Sequence, residues 1–358
     1  MRNALRSIVG LLALLSCLAV PPARAEGPKL IIGAVYVGSA NDYGYNRSFH
    51  DALTQVAAEL PGVKLLEAEN VPESADAERV MEGMVQQGAR LIFPTSFGYS
   101  DAARKVAKRH RDVFFEYAGD GATDRNFGIF FGSTQAAWYP MGVAAGKMTK
   151  SNKLGFVIGM PIGYALGNVN AFQMGARSVN PKVQTIAVVT GGWSDKAKEA
   201  GAANALLDQG CDVVAMHVDS PATIIQAVEA RGGMSIGFQS IEARALAPKG
   251  WLTGLGFTWA PFFKEIAQSV MAGRFSAAAV YQGLGEMVAV APYGDAVPPE
   301  VRKLVEEAAT KVKKGFNPFS GPLKDNTGST VLPVGATVSA DQMGNLDWYV
   351  EGVVGKVR

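Results

Sequence analysis

Short apolar runs rich in β-branched residues alternate with amphipathic helical stretches along this chain, and that alternation restricts the fold more than any other feature. Leu30 to Val37 is continuously apolar, the pattern of a strand buried on both faces of a parallel sheet. A loop of Gly, Ser, Asn and Asp follows, and Asn46 to Leu60 then carries helical spacing at Phe49, Leu53, Val56, Ala57 and Leu60. The cycle repeats as Val63 to Leu66, a helix from Ala75 to Gln87 closed by Gly88, Leu91 to Phe93, a helix from Tyr99 to His110, and Val113 to Tyr117. Strands alternating with helices predict an α/β fold with a doubly wound parallel sheet.

A helix rich in Gly and Ala from Trp138 to Met148 opens a second series. Strands are expected at Leu154–Ile158, Val183–Val189, Val213–Met216 and Met234–Phe238, with helices at Ala165–Ser178, Lys196–Gln209 and Pro221–Ala230. The two halves share a pattern without repeating residues. After Phe238 the pattern shortens to a strand at Trp251–Phe257, a helix at Pro261–Met271, an edge strand at Gly285–Ala291 and a helix at Pro299–Lys314. Short late segments suit a chain that recrosses between two lobes, which makes a hinge and a cleft at the carboxyl ends of the strands. The expected division is 26–133 with 251–283 as the first lobe, 134–250 with 284–325 as the second, and 326–358 as a terminal segment packed on both.

The first 25 residues read as an export signal. Arg2 and Arg6 form a positive segment, Ile8 to Val20 is apolar but too short to span a bilayer, and Ala23-Arg24-Ala25 is a small-x-small cleavage site. Leu14-Leu15-Ser16-Cys17 resembles a lipoprotein box, the weaker option, so the expected product is a free periplasmic protein. Of 358 residues, 48% are hydrophobic and 18% charged with net charge +2, which gives ample core and no bulk field for nucleic acid. Without the leader Cys211 is the single cysteine, expected as a buried small hydrophobe, and the three histidines are far apart in sequence, so neither a disulfide nor a metal site is expected. No Gly-x-Ser-x-Gly elbow or P-loop is present, so catalysis has no motif behind it and no cofactor is implied.

Gly142-Val143-Ala144-Ala145-Gly146-Lys147-Met148, Lys153-Leu154-Gly155-Phe156-Val157, Gly175-Ala176-Arg177-Ser178-Val179-Asn180-Pro181, Gly192-Trp193-Ser194-Asp195-Lys196-Ala197-Lys198-Glu199 and His217-Val218-Asp219-Ser220-Pro221-Ala222 resemble the basic membrane protein family. These are purine-receptor-like substrate-binding proteins of ABC importers, and the resemblance covers nearly the whole chain after the leader. It implies a type I periplasmic-binding-protein fold with two Rossmann-like lobes, three crossovers, and a ligand in the cleft. It also implies a membrane permease as partner and a protein that works as a monomer. A ligand sensor that presents its bound state to a membrane receptor would use the same fold.

The candidate ligand residues follow strands. By the resemblance, Tyr45 is placed to stack on a purine and Asn46 to read its edge; the alternative is that Asn46 caps a helix and Tyr45 packs. Phe97 lies in a loop that matches the family, facing the cleft or packing beneath the loop. Trp193 sits on the other lobe in a Gly-Gly-Trp-Ser-Asp loop, and aromatics from opposite lobes can sandwich a planar base. Asp195 reads as a helix cap. Asp219 and His217 stand either as site residues or as a cap and a core histidine. Asp120 offers a carboxylate at the end of a strand or a solvated turn residue. Nucleoside-binding members carry an acid where this chain has Gln239, and a lysine near the Thr258-Trp259 pair. The missing sugar clamp and the extra indole of Trp259 move the expected ligand from a nucleoside toward a free purine base or similar heterocycle, with Gln239 offering a donor and an acceptor to its edge. The alternative for Trp259 is packing at a helix start.

Overall fold

The computed structural model describes residues 29–357, and the leader with Arg2, Arg6 and Cys17 lies outside them. The first series is β1 (Leu30–Val35), α1 (Tyr45–Glu59), β2 (Val63–Ala68), α2 (Ala75–Gln86), β3 (Leu91–Pro94), α3 (Ser100–Arg109), β4 (Phe114–Ala118) and β5 (Phe127–Gly132). The second is α4 (Trp138–Met148), β6 (Lys153–Ile158), α5 (Gly163–Val179), β7 (Gln184–Val189), α6 (Lys196–Asp208), β8 (Val213–His217), α7 (Ala222–Ala230), β9 (Met234–Gln239) and β10 (Trp251–Phe257). Then come α8 (Ala260–Met271), β11 (Ala279–Gln282), β12 (Val288–Val290), α9 (Pro299–Lys313), β13 (Leu323–Lys324), β14 (Thr330–Leu332), α10 (Ala340–Gly344) and β15 (Val353–Val354).

The strands form two large sheets. One runs β11-β5-β4-β3-β1-β2 and is parallel throughout. The other runs β12-β10-β9-β8-β6-β7-β15 and is parallel except at β12, which pairs antiparallel with β10. Continuously apolar strands such as Leu154–Ile158 are buried because helices cover both sheet faces, as a parallel sheet requires. The fold is thus the two-lobed periplasmic-binding type. The chain crosses between lobes at residues 133–137, at 258–259 and at 283–287. These crossings are tied together: Ser133 N donates to Gln282 O at 2.9 Å, and Thr258 Oγ1 to Glu286 O at 2.6 Å.

Two boundaries differ from expectation. Trp251–Phe257 belongs to the second lobe, not the first, because β10 pairs in parallel with β9. Gly237 of β9 leaves the space that the Trp251 ring fills; a Cβ there would lie 2.1 Å from the indole. The terminal segment packs on the second lobe rather than on both. Met343, Leu346, Tyr349, Val350 and Val353 join that lobe's core, and Asn170 of α5 binds the segment through Val350 N at 2.8 Å and Trp348 O at 3.0 Å. Cys211 is buried there with its thiol pushed up to about 11 by desolvation, which suits an inert apolar role.

Glu116 on β4 is a buried carboxyl. Its Oε2 has no partner, and across the sheet Gly128 makes room for it, since a Cβ there would lie 2.3 Å from Oε1. Burial raises its pKa to about 8. The folded chain therefore holds this proton at a pH where the unfolded chain has lost it. From about pH 4.5, the group's ordinary value, up to about 8, Glu116 makes the fold less stable as pH rises, by roughly 1 kcal/mol per pH unit. Urea unfolding of Glu116→Gln across that window should show a correspondingly shallower decline than the parent; equal slopes would refute the assignment.

Candidate ligand-binding site

A cavity with about 80 Å³ open to the centres of water-sized spheres lies between the lobes, at the carboxyl ends of the strands of both sheets. The first lobe contributes Tyr45, Phe97 and Phe131; the second contributes Trp193, His217, Asp219, Phe238, Gln239 and Phe257. Aromatic faces therefore come from both sides of the seam. Polar groups come from the second lobe as His217, Asp219 and Gln239, from the first as Ser96, and from the Ser133-Thr134-Gln135 crossing.

Each of these positions has a local cause. The loop before α1 is folded around Asp42, whose carboxylate accepts from Gly44 N, Asn46 N and Arg47 N at 2.7, 2.9 and 3.0 Å. Those bonds satisfy helix N–H groups that have no partner within the helix. Tyr45 then points inward, with its hydroxyl donating to Thr95 O at 2.6 Å and its ring edge-on to Phe49 at 4.9 Å. The loop carrying Trp193 is pinned to the end of β8 by Asp219 N donating to Trp193 O at 2.8 Å. Asp195 caps α6 by accepting from Lys198 N, while its own backbone N donates to Glu199 Oε1 at 3.0 Å. The Trp193 ring lies 5.9 Å from the His217 ring, tilted by 33°.

Electrostatics divide the polar edge. Burial pushes the Asp219 carboxyl well above the usual carboxylate range, Asp42 nearby adds to the effect, and a bond from the Gln239 side chain opposes it. Burial alone pushes His217 down to about 4, so its imidazole is neutral at neutral pH. Gln239 has φ 78°, a left-handed conformation uncommon for a residue with a side chain, and its Nε2 donates to Val218 O at 2.5 Å. Among the described residues the amide oxygen has no such tie. The cavity thus offers flat apolar faces for a ring and a row of polar groups for its edge.

Of the sequence-stated candidates, Tyr45, Phe97, Trp193, Asp219 and Gln239 line this cavity. Asn46 does not. It is buried within the loop, where its Nδ2 donates to Asp42 Oδ2 at 2.7 Å and its Oδ1 accepts from Gly38 N at 3.2 Å. Trp259 is also outside the cavity: its ring stacks on Phe257 at 4.3 Å and on Phe49 at 5.1 Å, and its Nε1 donates to Ser48 Oγ at 3.0 Å. It is a core residue of the first lobe. Asp120 lines a wider neighbouring groove with Tyr281, Glu286 and Lys313, which shares Ser133, Gln135, Tyr164 and Tyr281 with the cavity. Phe131 and the Ser133-Thr134-Gln135 turn were missed because β5 was missed. The signal was present, since Phe127 to Phe131 is apolar and ends in Gly132 and a polar loop, as the other strands do.

Residues 29–316 match the Bmp family, ABC transporter substrate-binding proteins described as PnrA-like. The chain belongs to this family. Over 339 residues, 94% of this chain and 95% of the relative, it is 36% identical to a purine-binding protein of Brucella abortus (strain 2308). Solved structures of ABC transporter solute-binding proteins show the same fold at low identity. One from Conexibacter woesei matches with TM-score 0.68 and 23% identity over 80% of this chain and 97% of that one. One from Aeropyrum pernix K1 matches with TM-score 0.69 and 20% identity over 83% and 93%. As a Bmp protein the chain binds a small molecule and works with a membrane permease outside the cytoplasm. Among the described residues, no helix is long and apolar enough to cross a membrane.

Proposed function

We propose that this Bmp protein is the periplasmic receptor for a free purine base or a closely similar planar heterocycle, and that it binds without transforming its ligand. The observation that carries this reading is the cavity itself, whose aromatic walls meet from two lobes over a polar edge that includes the neutral His217. Identity of 36% with a purine-binding protein along almost the whole chain supports it. The ring would lie against Trp193, with Tyr45 and Phe131 on the facing lobe, while Asp219, Gln239 and His217 read its edge. Binding to both walls at once favours the closed form, which a permease then recognises. We further take the protein to be released free and to act as a monomer.

A second reading, a purine nucleoside, draws on the groove beside the cavity, which offers polar space for a sugar. Unfolding, washing and refolding the protein, then screening bases, nucleosides and sugars by thermal shift, separates the two. A ligand present at a hundred times its Kd should stabilise the fold by about 2.7 kcal/mol. A larger response to guanosine or ribose than to any free base would overturn the base assignment. Trp193→Ala should weaken base binding by about 1–3 kcal/mol, the usual worth of one stacked aromatic, with ligand-free stability little changed. Unchanged affinity in calorimetry would remove the stacking role.

A further inference from the structure

We infer that Asn168, which does not itself line the cavity, acts as a positioning residue that fixes the His217 imidazole as a hydrogen-bond donor to the ligand, so that the site selects heterocycles presenting a ring nitrogen or oxo acceptor at that point. This inference rests on the ligand reading above. Asn168 lies on α5 and is fully buried. Its Oδ1 accepts the hydroxyl of Thr134, in the first hinge crossing, at 3.0 Å. Its Nδ2 is left facing His217 Nδ1 at 2.9 Å.

An amide N–H opposite a ring nitrogen requires that nitrogen to be the acceptor. A neutral imidazole carries one proton, so it must then sit on Nε2. Burial keeps the ring neutral, which leaves these two tautomers as the choice. His217 Nε2 has no hydrogen-bond partner among the described residues and is not among the buried orphaned side-chain atoms, and the ring lines the cavity. The donor therefore points at the ligand space. Phe238, edge-on to the imidazole at 4.9 Å, and Trp193, tilted against it at 5.9 Å, both pack on the ring. Asp219, in the bend just past the end of β8, lines the same cavity, so donor and carboxyl are both available to one ligand.

The state of the imidazole can be read without any ligand. With only His50, His110 and His217 in the chain, nitrogen-proton correlation spectra of protein labelled in its imidazole nitrogens resolve each ring. The expected result for His217 at neutral pH is an unprotonated Nδ1 and a protonated Nε2. A proton on Nδ1, or an imidazolium, would overturn the inference. Asn168→Ala and Thr134→Val should each give mixed tautomers. In calorimetry Asn168→Ala should bind the preferred base roughly tenfold more weakly, the worth of one good hydrogen bond. That loss should disappear for the analogue in which carbon replaces the nitrogen facing His217. An equal loss on every analogue would mean that Asn168 is structural only. If no purine binds the parent, the functional reading fails while the tautomer measurement still decides this one.

Discussion

Gly44→Ala is expected to lower ligand affinity by roughly a hundredfold, about 2.8 kcal/mol, while the ligand-free protein still folds. Gly44 sits at the start of α1 on the first lobe and is pressed against the second. A Cβ at this position would lie 2.0 Å from Asp219 O and 2.4 Å from Pro221 Cδ, and backbone oxygen cannot move aside as a flexible side chain would. Next to it, Tyr45 N donates to Asp219 O at 2.9 Å, and Ser220 Oγ to Asp42 O at 3.4 Å. The lobes are therefore closed on each other at this seam, and the residues that close it are neighbours of those that line the cavity. Tyr45 and Asp219 each contribute a backbone atom to the closure and a side chain to the site.

A methyl group at position 44 holds this seam apart, and a ligand that needs both walls loses one of them. Its apparent affinity falls with the fraction of closed molecules. The helix itself depends little on the glycine, because the capping is done by Asp42, so ligand-free melting should drop by only a few degrees. Calorimetry gives the affinity, and small-angle scattering should show that ligand no longer compacts the variant. Parental affinity in Gly44→Ala would mean that closure at this seam takes no part in binding.

Much of this arrangement was legible in the sequence because a parallel sheet demands continuous apolar strands followed by polar loops. The ends of β1, β3, β7, β8 and β9 could thus be named as the places where ligand residues stand. What could not be read is how those residues share their hydrogen bonds. Asn46 looked like an edge-reading amide, but Asp42 four residues earlier takes its Nδ2. Trp259 looked like a third flat face, yet Phe49, distant in sequence, provides a stacking surface that removes it to the core. Sheet membership was hidden for a similar reason. The apolar pattern of Trp251–Phe257 marks a strand, whereas the Gly237 gap that receives Trp251 is a property of its partner. Asn168 lacks any local sign of its role, since the groups it joins lie 34 and 49 residues away.

The second large effect is expected where α4 and α5 cross, at the packing that positions both Thr134 and Asn168. Gly142 on α4 lies so close to α5 that a Cβ would be 1.9 Å from Phe172 O, and Gly175 on α5 would place one 1.9 Å from Tyr139 O. The helices touch backbone to backbone at both points, so an added side chain can be accommodated only by moving a whole helix. Gly142→Val and Gly175→Val should each cost about 3 kcal/mol or more, toward the upper end of overpacking penalties, and should yield little folded protein. Gly201 in the middle of α6 provides the contrast, since nothing lies within 4 Å of the position a Cβ would take. There the glycine only weakens a helix, and Gly201→Ala should raise stability by about 0.5–1 kcal/mol. Urea denaturation of the three variants checks both signs together. Tolerance of valine at 142 or 175 would mean that the helices separate easily, and the Thr134–Asn168–His217 chain would then have no rigid frame to hold it.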